Sequence, residues 1–204
     1  MNINHQLLDG RDFIPLGIDI ETSSSDFNNG VILSIGAYDP SGNNWTGRTF
    51  YKEIRYKGSI PVNAEAMRVN RIPITGVDNP QLPSLEMTSD LLEEWLGHRT
   101  RKYIPVGFNV ASFDIAFIKK YMPLVQRRLG YRAIDLNALI FTEALKHKCK
   151  FISLKADYKR KAKIVTEKIV QGRSEHDALY DSILAIIILK NYVRNIDDIK
   201  MGNS

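Results

Sequence analysis

Two carboxylates inside an otherwise apolar strand constrain this chain more than any other feature. From Phe13 to Ile20 the residues alternate with the period of two that a strand requires. Leu16, Ile18 and Ile20 fall on one face, and Gly17, Asp19 and Glu21 on the other. A strand that is apolar on both sides of its acids belongs in the interior of a sheet, where a carboxylate is costly unless it is paired or holds a metal. An Asp-x-Glu pair taken alone is better explained by a strand end at which two acids meet water. The pair therefore has to be read together with the other acids of the chain.

Around that strand the pattern predicts an α/β fold. Val31–Tyr38 and Trp45–Ile54 read as second and third strands, separated by the Ser-rich loop Thr22–Gly30 and by the turn chemistry of Asp39-Pro-Ser-Gly-Asn-Asn. Three strands on short turns imply an antiparallel meander. Helices are expected at Val62–Val69 and Ser84–Gly97, then a strand at Tyr103–Gly107 and a helix capped by Ser112. A fifth strand at Tyr131–Ile134 follows, with helices at Leu136–His147, at Ser153–Lys163 and from Ser174 to about Val193. The sum is a five-stranded mixed sheet, antiparallel in its first three strands and flanked by helices. The 204 residues suit one domain over 1–204, with its motif-bearing core at about 14–193.

Composition narrows the setting. With 44% hydrophobic and 25% charged residues, disordered and collagen-like chains are excluded. No run of 18 apolar residues exists to span a membrane, and the opening Met1-Asn-Ile-Asn-His lacks the order of a signal peptide. Cys149, the single cysteine, has no internal partner for a disulfide, which fits a reducing, cytoplasmic location.

Two further acids and a histidine complete a pattern. Asp114 follows the strand Tyr103–Gly107 and also fits first-turn helix electrostatics. Asp181 is less easily explained away: it is one acid in Ala178-Leu-Tyr-Asp-Ser-Ile-Leu-Ala-Ile-Ile-Ile-Leu, a stretch that reads as a buried helix, where acids are rare unless paired or coordinating. His176 precedes it by five residues, beside the capping-box pattern Ser174-Glu-His-Asp177, to which Asp177 is assigned. An imidazole there can accept a proton near neutrality. Four converging carboxylates would form an all-oxygen site suited to Mg²⁺ or Mn²⁺, not zinc. Two such ions, about 3.5–4 Å apart, can activate water and stabilise the leaving oxygen of a phosphodiester.

These residues, in this order, resemble the three motifs of the DEDDh superfamily of 3′–5′ exonucleases, which includes the proofreading subunit of bacterial DNA polymerase III, ribonuclease T and oligoribonuclease. The motifs are Gly17-Ile-Asp19-Ile-Glu21-Thr22, Gly107-Phe-Asn109-Val-Ala-Ser-Phe-Asp114 and His176-Asp-Ala-Leu-Tyr-Asp181. The resemblance implies a ribonuclease H-like fold and release of nucleoside 5′-monophosphates from single-stranded 3′ ends of DNA or RNA. It implies that Asp19, Glu21 and Asp181 hold one metal, that Asp19 bridges to a second, that Asp114 assists, and that His176 takes the proton of the attacking water. The Thr22 backbone, Asn109 and Met67, the last within Asn63–Ile72, are expected near the terminal nucleotide. Phe27, Phe108 and Phe113 are candidates for stacking on bases, with core packing as the competing reading, strongest for Phe113. Asp135 resembles a frequent family acid but is better read as a helix N-cap.

The charge of +5 is not spread evenly. Nine of the 28 Lys and Arg and two of the 23 Asp and Glu lie between Lys146 and Lys168, a net of +7, leaving 19 bases against 21 acids elsewhere. A solvated helix face and a phosphate-binding patch both fit such a run. On the exonuclease reading, Lys159, Arg160, Lys161 and Lys163 are expected to hold the substrate backbone. The family resemblance implies either a homodimer or association with a polymerase or another replication or repair protein. The rival readings are a non-catalytic nucleic-acid-binding module on the same fold, and an aspartyl phosphatase using Asp19 and Glu21, which leaves His176 and Asp181 unexplained.

Overall fold

A computed structural model describes residues 13–41, 47–70, 72–98 and 102–201. Trp45 and Thr46 of the expected third strand, Gly42, Asn43 and Asn44 of the turn before it, and Arg71 lie outside the described residues. The sheet has five strands: β1 (Phe13–Thr22), β2 (Ile32–Asp39), β3 (Arg48–Glu53), β4 (Lys102–Gly107) and β5 (Ile134–Asp135), in the order β3-β2-β1-β4-β5. β1 pairs antiparallel with β2 and parallel with β4, β2 is antiparallel to β3, and β4 is parallel to β5. The acid-bearing strand is thus the middle strand, as its flanking apolar residues require.

The alternation along β1 divides the molecule into two apolar layers. Leu16, Ile18 and Ile20, with Ile35 and Ala37 of β2, pack against α2 (Leu85–Leu96), α3 (Asp114–Tyr121) and α4 (Pro123–Arg128) through Leu92, Leu96, Phe117, Ile118 and Val125. On the opposite face Tyr38 and Val106 meet α5 (Leu136–Lys146), α6 (Phe151–Ile169) and α7 (Ala178–Met201). A short helix, α1 (Ala64–Asn70), and a single 3₁₀ turn at Ile74–Gly76 fill the crossing from β3 to α2.

Several local expectations are corrected. Ser112 does not cap α3; its hydroxyl donates to the Asn109 carbonyl, and Asp114 opens the helix. The segment read as a strand at Tyr131–Ile134 pairs only at Ile134 and Asp135, because Gly130 N donates to the Tyr103 carbonyl and Tyr131 turns out to solvent. Pro123 starts α4, which fits the tolerance of proline at the first helical position. α6 runs past Lys163 because Tyr158, Ala162 and Thr166 form an i, i+4 row buried with α7. α7 begins at Ala178, not Ser174: Asp177 caps it, Oδ1 accepting from Leu179 N and Tyr180 N. Asp135 caps α5 by accepting from Asn137 N, as expected.

The layer that matters for the site is α7 over β1 and β2, and two glycines set its distance. A Cβ on Gly17 would lie 2.0 Å from the Ser182 carbonyl oxygen, and one on Gly36 would lie 2.2 Å from the Ala178 carbonyl. Backbone therefore rests on backbone there, with no room for any side chain. From Ala178 to Leu189 every residue of α7 is buried except Asp181, which is half-buried. Replacing Gly17 or Gly36 by alanine should push the helix off the sheet and destabilise by about 1–3 kcal/mol or more, lowering Tm by roughly 2–4 °C per kcal/mol. Thermal unfolding of each variant, with Gly58→Ala (open space around the Cβ, but positive φ) as a comparison for backbone strain alone, checks this.

Candidate metal centre and nucleic-acid cleft

The approach of α7 brings Asp181 over β1. Asp19, Glu21 and Asp181 each present a carboxylate oxygen within 4.8 Å of the others. Register places Asp19 opposite Gly36 and Glu21 opposite Ser34, so small neighbours leave the acids room on the α7 face. The Ser34 hydroxyl is buried there without a hydrogen-bond partner.

Asp114 approaches from the first turn of α3. It is 3% exposed, and its Oδ1 accepts from Ile20 N at 3.0 Å, on the strand between Asp19 and Glu21. A residue whose sequence position suits first-turn electrostatics is thereby tied to the central strand. Asp181 Oδ2 accepts from His176 N at 3.0 Å.

All four acids hold their protons above the usual carboxylate range. Burial pushes Glu21 up to about 8, with Asp181 and Asp114 adding to it. Burial pushes Asp114 up to about 7 against the hydrogen bond from Ile20 N, which pulls the other way. Asp19 is driven well up by burial, then by Asp114, Asp181 and Glu21, which makes it the carboxylate that feels all the others. Asp181 is also raised by burial, offset by the His176 N–H and by Lys159. Carboxylates this close are stable as anions only when a cation neutralises them. An all-oxygen donor set without His or Cys fits Mg²⁺ or Mn²⁺.

His176 stands beside this cluster. It has φ of 67°, a left-handed conformation uncommon outside glycine, and the bend aims its N–H at Asp181. It lines a cleft of about 480 Å³ with Tyr51, Glu53, Asn70, Arg173 and Glu175. The loop is clamped from β3: the Arg173 guanidinium lies 3.8 Å over the Tyr51 ring and pairs with Asp177. Tyr51 shares the α7 face through its pairing with Gly36. Sequence reasoning did not find Tyr51 or Arg173, because their place beside His176 depends on strand register.

The remaining expected residues fall into three groups. Met67 is on α1, which is tied at both ends to the end of β1, where Thr22 sits: Asn63 N donates to the Ser23 carbonyl at 2.7 Å and Asn70 Nδ2 to the Thr22 carbonyl at 2.8 Å. Asn109, at φ 56°, accepts from Asn137 Nδ2 at 2.8 Å, and Phe108 is half-buried beside it under Lys155 and Lys159. Phe27 is elsewhere: it meets Phe117 edge-on at 6.1 Å under Lys120, on the α3 side of the sheet. Phe113 packs on Phe117 in the same core.

The basic helix is sorted by its phase. Lys159 faces Phe108, while Arg160 and Lys161 pair with Asp157 and Lys163 reaches Glu167 at 3.7 Å on the exposed side. Lys155, one turn before Lys159 and absent from the sequence-derived set, is the other base that meets Phe108. Its i, i+4 spacing from Lys159 was the available signal.

Residues 15–193 match the 3′-5′ exoribonuclease Rv2179c-like domain. The chain belongs to that family. No curated protein matches it in sequence. Among solved structures it is similar to cell-death related nuclease 4, with a TM-score of 0.60 and 13% identity over 90% of this chain and 64% of that one. It is similar to E. coli Exonuclease I in complex with a dT13 oligonucleotide, with a TM-score of 0.62 and 11% identity over 94% of this chain and 43% of that one. A 3′-exonuclease that recognises the histone mRNA stem-loop gives a TM-score of 0.52 and 15% identity over 90% and 84%. The chain thus spans 64% and 43% of the first two polypeptides. At these identities the likeness establishes the fold, the open five-stranded sheet of the ribonuclease H-like exonucleases. Among the described residues no helix is long and apolar enough to cross a membrane.

The buried acids make a definite pH dependence. Glu21 holds its proton to about 8 in the folded chain against an ordinary 4.5, so between these values the folded state binds more protons than the unfolded one. Stability without metal should therefore fall as pH rises from about 4.5 and level off above about 8. Tm measured in chelator across this window should decline, Mg²⁺ should raise Tm more at the alkaline end, and Asp19→Asn should flatten the decline. A wild-type Tm unaffected by Asp19→Asn at every pH would contradict the joint burial of these carboxylates.

Proposed function

We propose that this chain is a metal-dependent 3′–5′ exoribonuclease that removes nucleoside 5′-monophosphates from single-stranded 3′ ends. The observation that carries the reading is the meeting of Asp19, Glu21 and Asp181 within 4.8 Å of one another, beside a cleft lined by His176. The family's description favours RNA over DNA as the substrate class.

Asp19, Glu21 and Asp181 would hold a divalent cation, with Asp19, central among the acids, shared with a second and Asp114 supporting through its bond to β1. Two Mg²⁺ or Mn²⁺ ions in this donor set would supply the positive charge that polarises the scissile phosphate and acidifies water. The His176 imidazole takes the proton of the attacking water as the new P–O bond forms and the P–O3′ bond breaks, leaving a 3′-hydroxyl on the shortened strand. The left-handed turn at His176 and the Arg173–Tyr51 clamp hold the loop that carries it. Thr22, Met67 and Asn109 would border the terminal nucleotide, a reading supported by the anchoring of α1 to the end of β1 and by the Asn109–Asn137 bond.

Incubation with 3′-ended single-stranded RNA and Mg²⁺ should release mononucleotides, and a matched DNA should be cut more slowly. His176→Ala should lower kcat by about 10²–10⁴-fold with little change in RNA binding. Asp19→Asn should abolish turnover. Full activity in either variant would overturn the assignment of these roles.

A further inference from the structure

Lys155 and Lys159 place two ammonium groups over one aromatic ring: Nζ of Lys155 is 4.5 Å and Nζ of Lys159 is 5.5 Å from the Phe108 centroid. Lys155 donates to the neutral Asn137 Oδ1 at 2.9 Å, and Asn137 in turn holds Asn109. Lys159 has a half-exposed carboxylate, Glu175, at 3.7 Å, at the long end of an ion pair, and its charge reaches Asp181. Two like charges are thus gathered at the edge of the cluster; Asp135 and Asp181 act on them electrostatically, and Glu175 pairs with Lys159 at long range, so an anion between the lysines would be stabilised. Burial and the neighbouring Lys159 already depress Lys155 below the usual lysine range. Arg160 and Lys161, by contrast, are committed to Asp157 on the outer face of α6.

We propose that Lys155 and Lys159 form a two-point clamp on a backbone phosphate of the RNA near its 3′ end, with Phe108 as the platform that holds the lysines instead of a ring that stacks on a base. Glu175 occupies Lys159 until the strand arrives. The clamp rests on the exoribonuclease reading and adds to it a fixed register between the strand and the acids. It also separates the basic run into two lysines that touch substrate and an outer face that acts only at a distance.

The test is binding of a short single-stranded RNA, followed by anisotropy with Ca²⁺ in place of Mg²⁺ across a salt series. Each of Lys155→Met and Lys159→Met should weaken binding roughly tenfold and reduce the salt slope by about 0.7, whereas Arg160→Gln/Lys161→Gln should shift the slope by less than half as much as the clamp pair. A set of RNAs with one neutral methylphosphonate each adds a readout that misfolding would not mimic. The wild type should lose affinity at one linkage near the 3′ end, and Lys155→Met/Lys159→Met should lose nothing further there. Lys159→Arg should restore binding, and unchanged Tm in the variants keeps folding out of the comparison. If the clamp variants keep the wild-type slope and linkage sensitivity while the wild type still shortens RNA, the clamp is wrong and the exonuclease reading stands. If the wild type neither binds nor shortens any 3′ end, both fall.

Discussion

The contact of α7 with β1 and β2 at Gly17 and Gly36 is the constraint on which the rest depends. At those two points the helix backbone touches the sheet backbone, and a single methyl would separate them. A side chain at either point would hold the helix farther from the sheet and leave Asp181 away from Asp19 and Glu21. Everything downstream follows from this proximity: the overlap of three carboxylates, the hydrogen bond from His176 N to Asp181, and the cleft between the 171–177 loop and β3. The apolar run from Ile183 to Leu189 contributes the favourable burial that offsets bringing the acids together.

The cluster is therefore a destabilised element held by its surroundings. Burial and mutual repulsion both raise the acids, and only Asp114 and Asp181 receive backbone N–H groups to soften it. Such stored repulsion is a common property of functional sites, where the groups are arranged for a ligand instead of for the empty fold. The loop carrying His176 shows the same logic in its backbone, left-handed at a residue that is not glycine and held by Arg173 on Tyr51.

Much of this was legible in the sequence, for physical reasons that differ from residue to residue. The period of two along β1 told which residues share a face, so Gly17, Asp19 and Glu21 could be grouped before any packing was known. Asp181 stood out because an acid in an apolar helix needs an explanation. The Ser174 capping pattern misled, since Asp177 three residues later supplies the same chemistry at the true helix start. Ser112 misled likewise: the turn closed by its bond to Asn109 comes before the helix, not at its cap. Phe27 could not be placed from sequence, because a ring after a loop can fold to either side of a sheet. Tyr51 and Asn137 were illegible for a different reason: their relevance comes from contacts across register and between helices.

The hydrogen bond from His176 N to Asp181 also bears on how the chain can change over generations. The two residues are separated by the cap at Asp177 and one turn of α7, and the left-handed bend at His176 aims its N–H at Asp181. Adding or deleting one residue in this interval would rotate the imidazole by about 100° around the helix axis relative to the acids. The tip of loop 23–30, by contrast, is held by Lys120 and Tyr121 of α3 on the other face of the sheet, so a change of length at Asp26–Asn29 should leave the carboxylates in place. Length variation should therefore be tolerated at that loop tip and not between His176 and Asp181. The spacing between histidine and aspartate is the part of this sequence that drift can alter least.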